Sequence, residues 1–250
     1  MNTILRRLAS DALHLLAPML CPACDALLTP DDGAYCRACR ASLEPAPFPR
    51  DIFSEISAGF PGEELALSAI GALYVFADGN PVQKLIHAVK YKGCYGLGVD
   101  LGTELGRALA MFEEFDGMEV IVPVPLHRAR LRERGYNQAE AVATGLAAAI
   151  PGSRIVRALA RTRHTISQTT LDAQRRRRNV ADVFRIAGTD VRGRSVLLCD
   201  DVCTTGATLN ACAERLLQAG ALRVAAATVA RDMPVGNRAG NVRLMFQEPA

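Results

Sequence analysis

The sequence predicts an α/β fold, a parallel, doubly wound sheet flanked by helices, with a small cysteine-bearing module in front of it. Three observations carry this. From residue 69 onward short apolar runs alternate with stretches of helical periodicity, the pattern of parallel strands joined by crossover helices. The apolar run 196–198 ends on two adjacent carboxylates, Asp200 and Asp201, and a Thr/Gly turn then opens a helical pattern. That order puts the acid pair at the carboxyl end of a strand, where sheets of this kind bind ligands. Two Cys-x-x-Cys pairs, Cys21/Cys24 and Cys36/Cys39, are separated by eleven residues, and four thiolates so spaced can close around one metal ion.

The elements follow in chain order. Arg6 and Arg7 precede an apolar segment that is broken by Asp11 and His14 and runs to Leu20. Leu20 is too large to precede a cleaved lipoprotein cysteine, so residues 3–17 are expected as an amphipathic helix. No apolar run reaches the ~18 residues of a membrane span, and none is expected. Residues 1–43 then form the first unit, a zinc-ribbon-like module in which Cys21, Cys24, Cys36 and Cys39 hold a structural Zn2+ with no open position. The competing readings are two disulfides or a redox pair; redox chemistry wants one such pair at a strand–helix junction. Cys94, Cys199, Cys203 and Cys212 lie singly among apolar residues and read as reduced small hydrophobes, which fits a cytoplasmic protein.

Residues 44–68 read as a linker. The prolines of Glu44-Pro-Ala-Pro-Phe-Pro49 make a stiff extended connector, and 51–64 is mixed and expected to be irregular. The main domain is 69–250. Its strand 69–76 is followed by a helix, 82–89, leading into Lys90, a break at Tyr91-Lys92-Gly93, and a second helix, 97–115. After strand 120–124 comes an arginine-rich loop, and then helix 138–150 with Asn137 as its N-cap. Pro151-Gly152 ends that helix, and a strand follows at 155–159. A polar stretch of about twenty residues leads to 183–186, then to the Asp-Asp strand, a helix ending at Gln218 and a last strand, 223–229.

Charge is informative only locally. The chain has 250 residues, half of them hydrophobic, and a net charge of +3, too weak to argue for nucleic acid by itself. Between Arg154 and Arg178 there are eight arginines against one acid, Asp172. Such a cluster suits a polyanionic ligand or a phosphodiester backbone, or else a solvated helix face. Aromatic residues are 5% of the chain and Trp is absent, which weakens any base-stacking platform.

The turn after the acid pair is built for phosphate. Free N–H groups at a helix start and the helix dipole attract an anion. Gly206 permits close backbone approach, and the Thr204, Thr205 and Thr208 hydroxyls add donors. Carboxylates repel phosphate but accept hydroxyls or a hydroxyl-bound Mg2+, so the ligand expected here carries both a phosphate and a diol, as a sugar phosphate does.

The segment Asp-Asp-Val-Cys-Thr-Thr-Gly-Ala-Thr, 200–208, resembles the binding motif of type I phosphoribosyltransferases. The resemblance implies that Asp200 and Asp201, the catalytic pair, hold the ribose 2′ and 3′ hydroxyls of phosphoribosyl pyrophosphate. Thr204, Thr205, Gly206, Ala207 and Thr208 would wrap its 5′-phosphate, and Mg2+ would accompany its diphosphate. It also implies a hood at about 69–117 over a core at about 118–235. In the loop after strand 120–124, Val124, Pro125 and Leu126 would face the pyrophosphate, with charge from Arg128 to Arg134. Arg163, His164 and Gln168 fall where that family has a mobile lid; His164 is the one acid–base candidate there, although a lone histidine in a polar loop is usually idle.

Arg134-Gly-Tyr-Asn-Gln138, the upstream cysteines, and Val89-Lys-Tyr-Lys-Gly93 resemble the ComF branch, associated with competence and DNA uptake. Lys90 or Lys92 then either reaches a phosphate or is an ordinary surface lysine. The function implied is phosphoribosyl transfer to an unknown acceptor. The alternative is a non-catalytic protein that senses a nucleotide or handles single-stranded DNA, or partners DNA-uptake proteins, with the same fold.

Overall fold

The computed structural model describes residues 19–62, 64–162, 183–188 and 190–233. The amphipathic helix expected at 3–17 lies outside them, as do the lid residues Arg163, His164 and Gln168 and the arginine run 175–178.

Five parallel strands form the main sheet: β1 (Ile70–Phe76), β2 (Val120–Pro123), β3 (Arg154–Ile155), β6 (Ser195–Cys203) and β7 (Arg223–Asp232), in the order β1-β7-β6-β2-β3. The chain leaves β2 toward β3 on one side and β6 toward β7 on the other. The crevice between the carboxyl ends of β2 and β6 is therefore the topological switch point, where such sheets bind ligands.

Both faces of the sheet are covered, so its strands read as continuous apolar runs rather than alternating ones. On one face α3 (Pro81–Tyr91), α4 (Tyr95–Leu109) and α6 (Gln138–Ala149) pack with Leu73, Leu197 and Ala227. On the other, α2 (Pro49–Ala58) and α7 (Ala207–Gln218) pack with Ile70, Val122 and Leu198. The described residues are those of the expected α/β architecture.

Local expectations are corrected in four places. Residues 51–64 are not irregular, because α2 occupies Pro49–Ala58. Pro49 starts it at the position proline tolerates best, and Ile52 and Ile56, one turn apart, are both buried. The helix expected to reach residue 115 stops at Leu109, where the chain turns so that Phe115 folds back into the core. The strand 155–159 divides in two. Arg154–Ile155 joins the main sheet, while β4 (Leu159–Arg161) pairs antiparallel with β5 (Phe184–Ile186), so β4 and β5 bring together the two flanks of the expected lid. Finally, the proline connector is no free spacer: Ala46 N–H donates to the Leu73 carbonyl at 3.0 Å and Val75 N–H to that of Glu44 at 2.8 Å, covering the open edge of β1.

The α4–α6 contact is backbone to backbone. A Cβ on Gly145 would lie 2.0 Å from the Val99 carbonyl oxygen, and one on Gly102 would lie 2.2 Å from that of Val142. Neither obstacle is a flexible side chain, so the helices would have to separate. Gly145→Ala is expected to cost about 3 kcal/mol, the upper end for overpacking, and to lower the melting temperature by roughly 6–12 °C; an unchanged thermal melt would contradict this contact.

Candidate functional site

The acid pair and the Thr/Gly turn stand where the sequence places them, at the end of β6 and the start of α7. Asp201 is buried at 6% exposure, whereas Asp200 is partly exposed. Asp201 N–H donates to Asp200 Oδ1 at 2.8 Å, and Val202 N–H to Asp201 Oδ1 at 3.0 Å. Burial and the neighbouring Asp201 charge push the Asp200 carboxyl well above the usual carboxylate range, against the opposing pull of the Asp201 N–H and Lys90. Lys90, from the last turn of α3, brings its Nζ to 2.5 Å from Asp201 Oδ2. The contact is a close ion pair, and Oδ2 accepts no other hydrogen bond among the described residues. This is an electron-rich oxygen set, which suits ligand hydroxyls or a hard cation.

The turn after the acid pair is open. Thr204 and Thr205 are exposed, Gly206 at the N-cap of α7 has no side chain to offer, and Thr205 Oγ1 accepts from Ala207 N–H at 3.4 Å. Gly206 adopts φ +76, and a Cβ there would come 2.7 Å from Ile56 Cγ2, so α2 packs directly beneath the turn. Arg231 of β7, 3% exposed, donates through Nη1 to the carbonyls of Cys203 and Thr204 and through Nη2 to Glu55 Oε1 at 3.2 Å. Arg231→Met would leave the loop carbonyls and Glu55 without their donor. Breaking a buried pair in this way costs about 3–5 kcal/mol. Thermal denaturation should show that loss, and Glu55→Gln in the same chain should return part of it.

The loop after β2 is pinned from both ends. Val124 N–H donates to the Cys199 carbonyl at 2.9 Å. Asn137 Nδ2 donates to the Val124 carbonyl at 2.9 Å while its Oδ1 caps α6 by accepting from Ala139 N–H at 3.1 Å. Asn137 therefore is the N-cap and also a brace for the loop. Pro125 has no N–H, so the first backbone donor the loop can offer is that of Leu126. Residues 128–134, expected as a loop, form helix α5 (Arg128–Arg134), capped by His127. Arg134 holds Gln138 Oε1 at 2.9 Å and the Tyr91 hydroxyl at 3.2 Å, with its guanidinium 4.9 Å from the Tyr91 ring centroid. Tyr136 donates to the Val89 carbonyl. The Arg-Gly-Tyr-Asn-Gln and Lys-Tyr-Lys-Gly segments thus clasp each other, and their tyrosines are the part that motif spacing did not reveal. Beside this loop is a cavity of about 420 Å³ lined by Arg128, Tyr136, Glu140, Arg157 and Arg161.

At the other end of the chain, the four thiols of Cys21, Cys24, Cys36 and Cys39 lie within 4.8 Å of one another, and none forms a disulfide. Cys24 and Cys36 Sγ are 3.6 Å apart, close to the ~3.8 Å between ligands of a tetrahedron with Zn–S bonds of about 2.3 Å. Burial opposes ionisation of Cys21, but N–H groups of Cys36, Ala23 and Cys24 outweigh it and bring its thiol to about 7. The knuckle docks on the domain through Tyr35, fully buried, which donates to Glu104 Oε2 at 2.8 Å beside Tyr74. Arg40 pairs with Glu104 and lies 4.2 Å from the centroid of the Tyr35 ring. Cys199, Cys203 and Cys212 are buried and their thiols are pushed up by burial, that of Cys203 to about 11, as inert core thiols should be.

Comparison with known proteins gives this geometry a context. The family described as phosphoribosyl transferase domain matches residues 131–239. The DNA utilization protein YhgH of Escherichia coli strain K12 is 33% identical over 147 residues, which cover 58% of this chain and 64% of that protein. Competence protein F of Haemophilus influenzae is 38% identical over 104 residues, 41% of this chain and 45% of the relative. The chain thus matches less than two thirds of the length of these relatives. Among solved structures, the glutamine phosphoribosylpyrophosphate amidotransferase of Bacillus subtilis aligns with 56% of this chain and 30% of its own, at 20% identity and a TM-score of 0.38.

Proposed function

We propose that this chain is a ComF-type protein with a phosphoribosyl transferase domain, and that it binds phosphoribosyl pyrophosphate with Mg2+ and transfers the phosphoribosyl group to an acceptor. The observation that carries the reading is the pairing, at one switch point, of a buried-edge acid pair with an open helix start. The ribose 2′ and 3′ hydroxyls would donate to Asp200 and Asp201, and the 5′-phosphate would accept from the N–H groups and hydroxyls of 204–208. This fixes the sugar by both ends of its polar edge.

The acceptor attacks the anomeric carbon as the bond to the diphosphate oxygen breaks, and the electron pair leaves with diphosphate. Positive charge develops on the ring beside the two carboxylates, which stabilise it without moving. Holding the sugar still contributes the rest of the chain's part, and no protein nucleophile is required. Mg2+, when bound, would supply charge neutralisation on the departing diphosphate, and the Asp200 and Asp201 oxygens are hard donors that would suit it. The cysteine cluster we assign to one structural Zn2+, since four thiolates leave no position open for chemistry.

The names of the relatives support DNA utilization or competence as the process. Among the described residues no helix is long and apolar enough to cross a membrane. The test is titration of Mg2+–phosphoribosyl pyrophosphate into the protein, followed by an acceptor screen that reads diphosphate release. Saturable micromolar binding supports the reading. No binding by folded protein, together with salt-sensitive binding of single-stranded DNA, would replace it with a nucleic-acid-handling role.

A further inference from the structure

We infer that Lys90 is a ligand-exchanging residue of this site: it neutralises Asp201 in the free protein and transfers to the anomeric diphosphate of bound phosphoribosyl pyrophosphate. This rests on the reading of the site proposed above. Three observations place it there. Lys90 Nζ lies 2.5 Å from Asp201 Oδ2 although the residues belong to different halves of the domain. Its side chain is 22% exposed, and that of Asp201 9%, so water solvates the pair poorly. The Lys90 turn is held in place by its neighbours, because Tyr136 donates to the Val89 carbonyl and Arg134 to the Tyr91 hydroxyl. The ammonium therefore stands beside the acid pair, on a turn clasped to the segment whose Asn137 braces the loop after β2.

Charge then dictates the exchange. Ribose hydroxyls that donate to Asp201 displace the ammonium as its partner. The ammonium then loses its close contact while the acid pair's charge stays nearby, and a poorly solvated cation gains by taking a further anion as its partner. With the 5′-phosphate held by 204–208 and the ring hydroxyls by the acid pair, the sugar's remaining end, C1 and its diphosphate, points away from the phosphate cradle. Lys90 and the loop after β2 are the groups we assign to that side. A ligand with no diphosphate offers no replacement anion, so Lys90 makes the site select phosphoribosyl pyrophosphate over ribose 5-phosphate.

The experiment compares full-length wild type, Lys90→Met and Lys90→Arg by calorimetry with Mg2+–phosphoribosyl pyrophosphate and, separately, with ribose 5-phosphate. Losing one charged hydrogen bond should weaken the first ligand about tenfold to a hundredfold in Lys90→Met. Ribose 5-phosphate affinity should stay equal or tighten, and Lys90→Arg should keep most of the preference. A parallel loss for both ligands would make Lys90 merely structural, and unchanged phosphoribosyl pyrophosphate affinity would also overturn the inference. Tighter binding of both ligands would mark Lys90 as an inhibitory plug instead. Absence of phosphoribosyl pyrophosphate binding in wild type overturns the site reading itself, an outcome distinct from the others.

Discussion

Asp201→Asn is expected to weaken phosphoribosyl pyrophosphate binding by about a hundredfold or more while leaving the free protein folded. Hydrogen bonds from ligand hydroxyls to a charged carboxylate are worth about 1.5–3 kcal/mol each, and the amide also presents an N–H₂ group where only acceptors are wanted. Stability should move the other way. Asp200 carries a raised proton affinity because burial and the Asp201 charge oppose its ionisation. A carboxyl whose folded-state pKa lies above its unfolded value supports the fold fully at acid pH, below the unfolded value. That support is lost as pH rises through the folded value, so wherever both carboxyls are ionised the pair is a strain on the native state.

Removing the Asp201 charge relieves that strain. Lys90 keeps a counter-charge, since its ammonium already acts on Asp200. The free variant should therefore melt at the wild-type temperature or about 2–4 °C above it, the shift that ~1 kcal/mol produces in a chain of this size. The advantage should shrink as pH falls into the carboxylate range. Calorimetric titration and melts between pH 4 and 8 check both halves. A variant that binds as wild type does would remove Asp201 from the site, and one that melts far below wild type would mean that the pair is structural.

The second large effect is expected at the cysteine cluster. The purified protein should carry one zinc per chain, and Cys36→Ser should abolish it. Cys36 is one of the four proposed ligands, the N-cap of α1 (Arg37–Ala41) and an acceptor for Cys39 N–H at 3.4 Å. Metal-site loss in a module this small unfolds it. Its buried residues Leu28, Tyr35 and Leu43 belong to the same core cluster as Leu73 and Leu105, so the damage spreads. Undocking strips Glu104 of Tyr35 and Arg40. A loss of roughly 4 kcal/mol is expected, near 10 °C in melting temperature. Metal analysis with a thermal melt decides; a metal-free preparation that melts as high as the zinc-loaded protein would refute the assignment.

The chain itself shows where local pattern suffices. Asp200 and Asp201, the Thr/Gly turn, the Asn137 cap and the four cysteines were legible because each signal is contained within a few residues, and its physics is local: strand, turn, helix start, knuckle. The parallel sheet was legible for the same reason, since covered strands must be apolar throughout. Helix α2 was missed because its apolar pair, Ile52 and Ile56, is short and sits between proline and glycine residues that read as a linker.

What only the tertiary structure decided is which distant groups meet. Glu55 lies 176 residues from the Arg231 it pairs with beneath the phosphate turn. Tyr35 meets the Glu104 that docks the cysteine module from 69 residues away. The sequence offered Lys90 as either a phosphate contact or a surface lysine, and folding placed it against Asp201. Local sequence sets backbone conformation and the face a side chain occupies. Partnership between buried charges depends on how whole elements pack, because each must find a counter-charge wherever the fold happens to bring one.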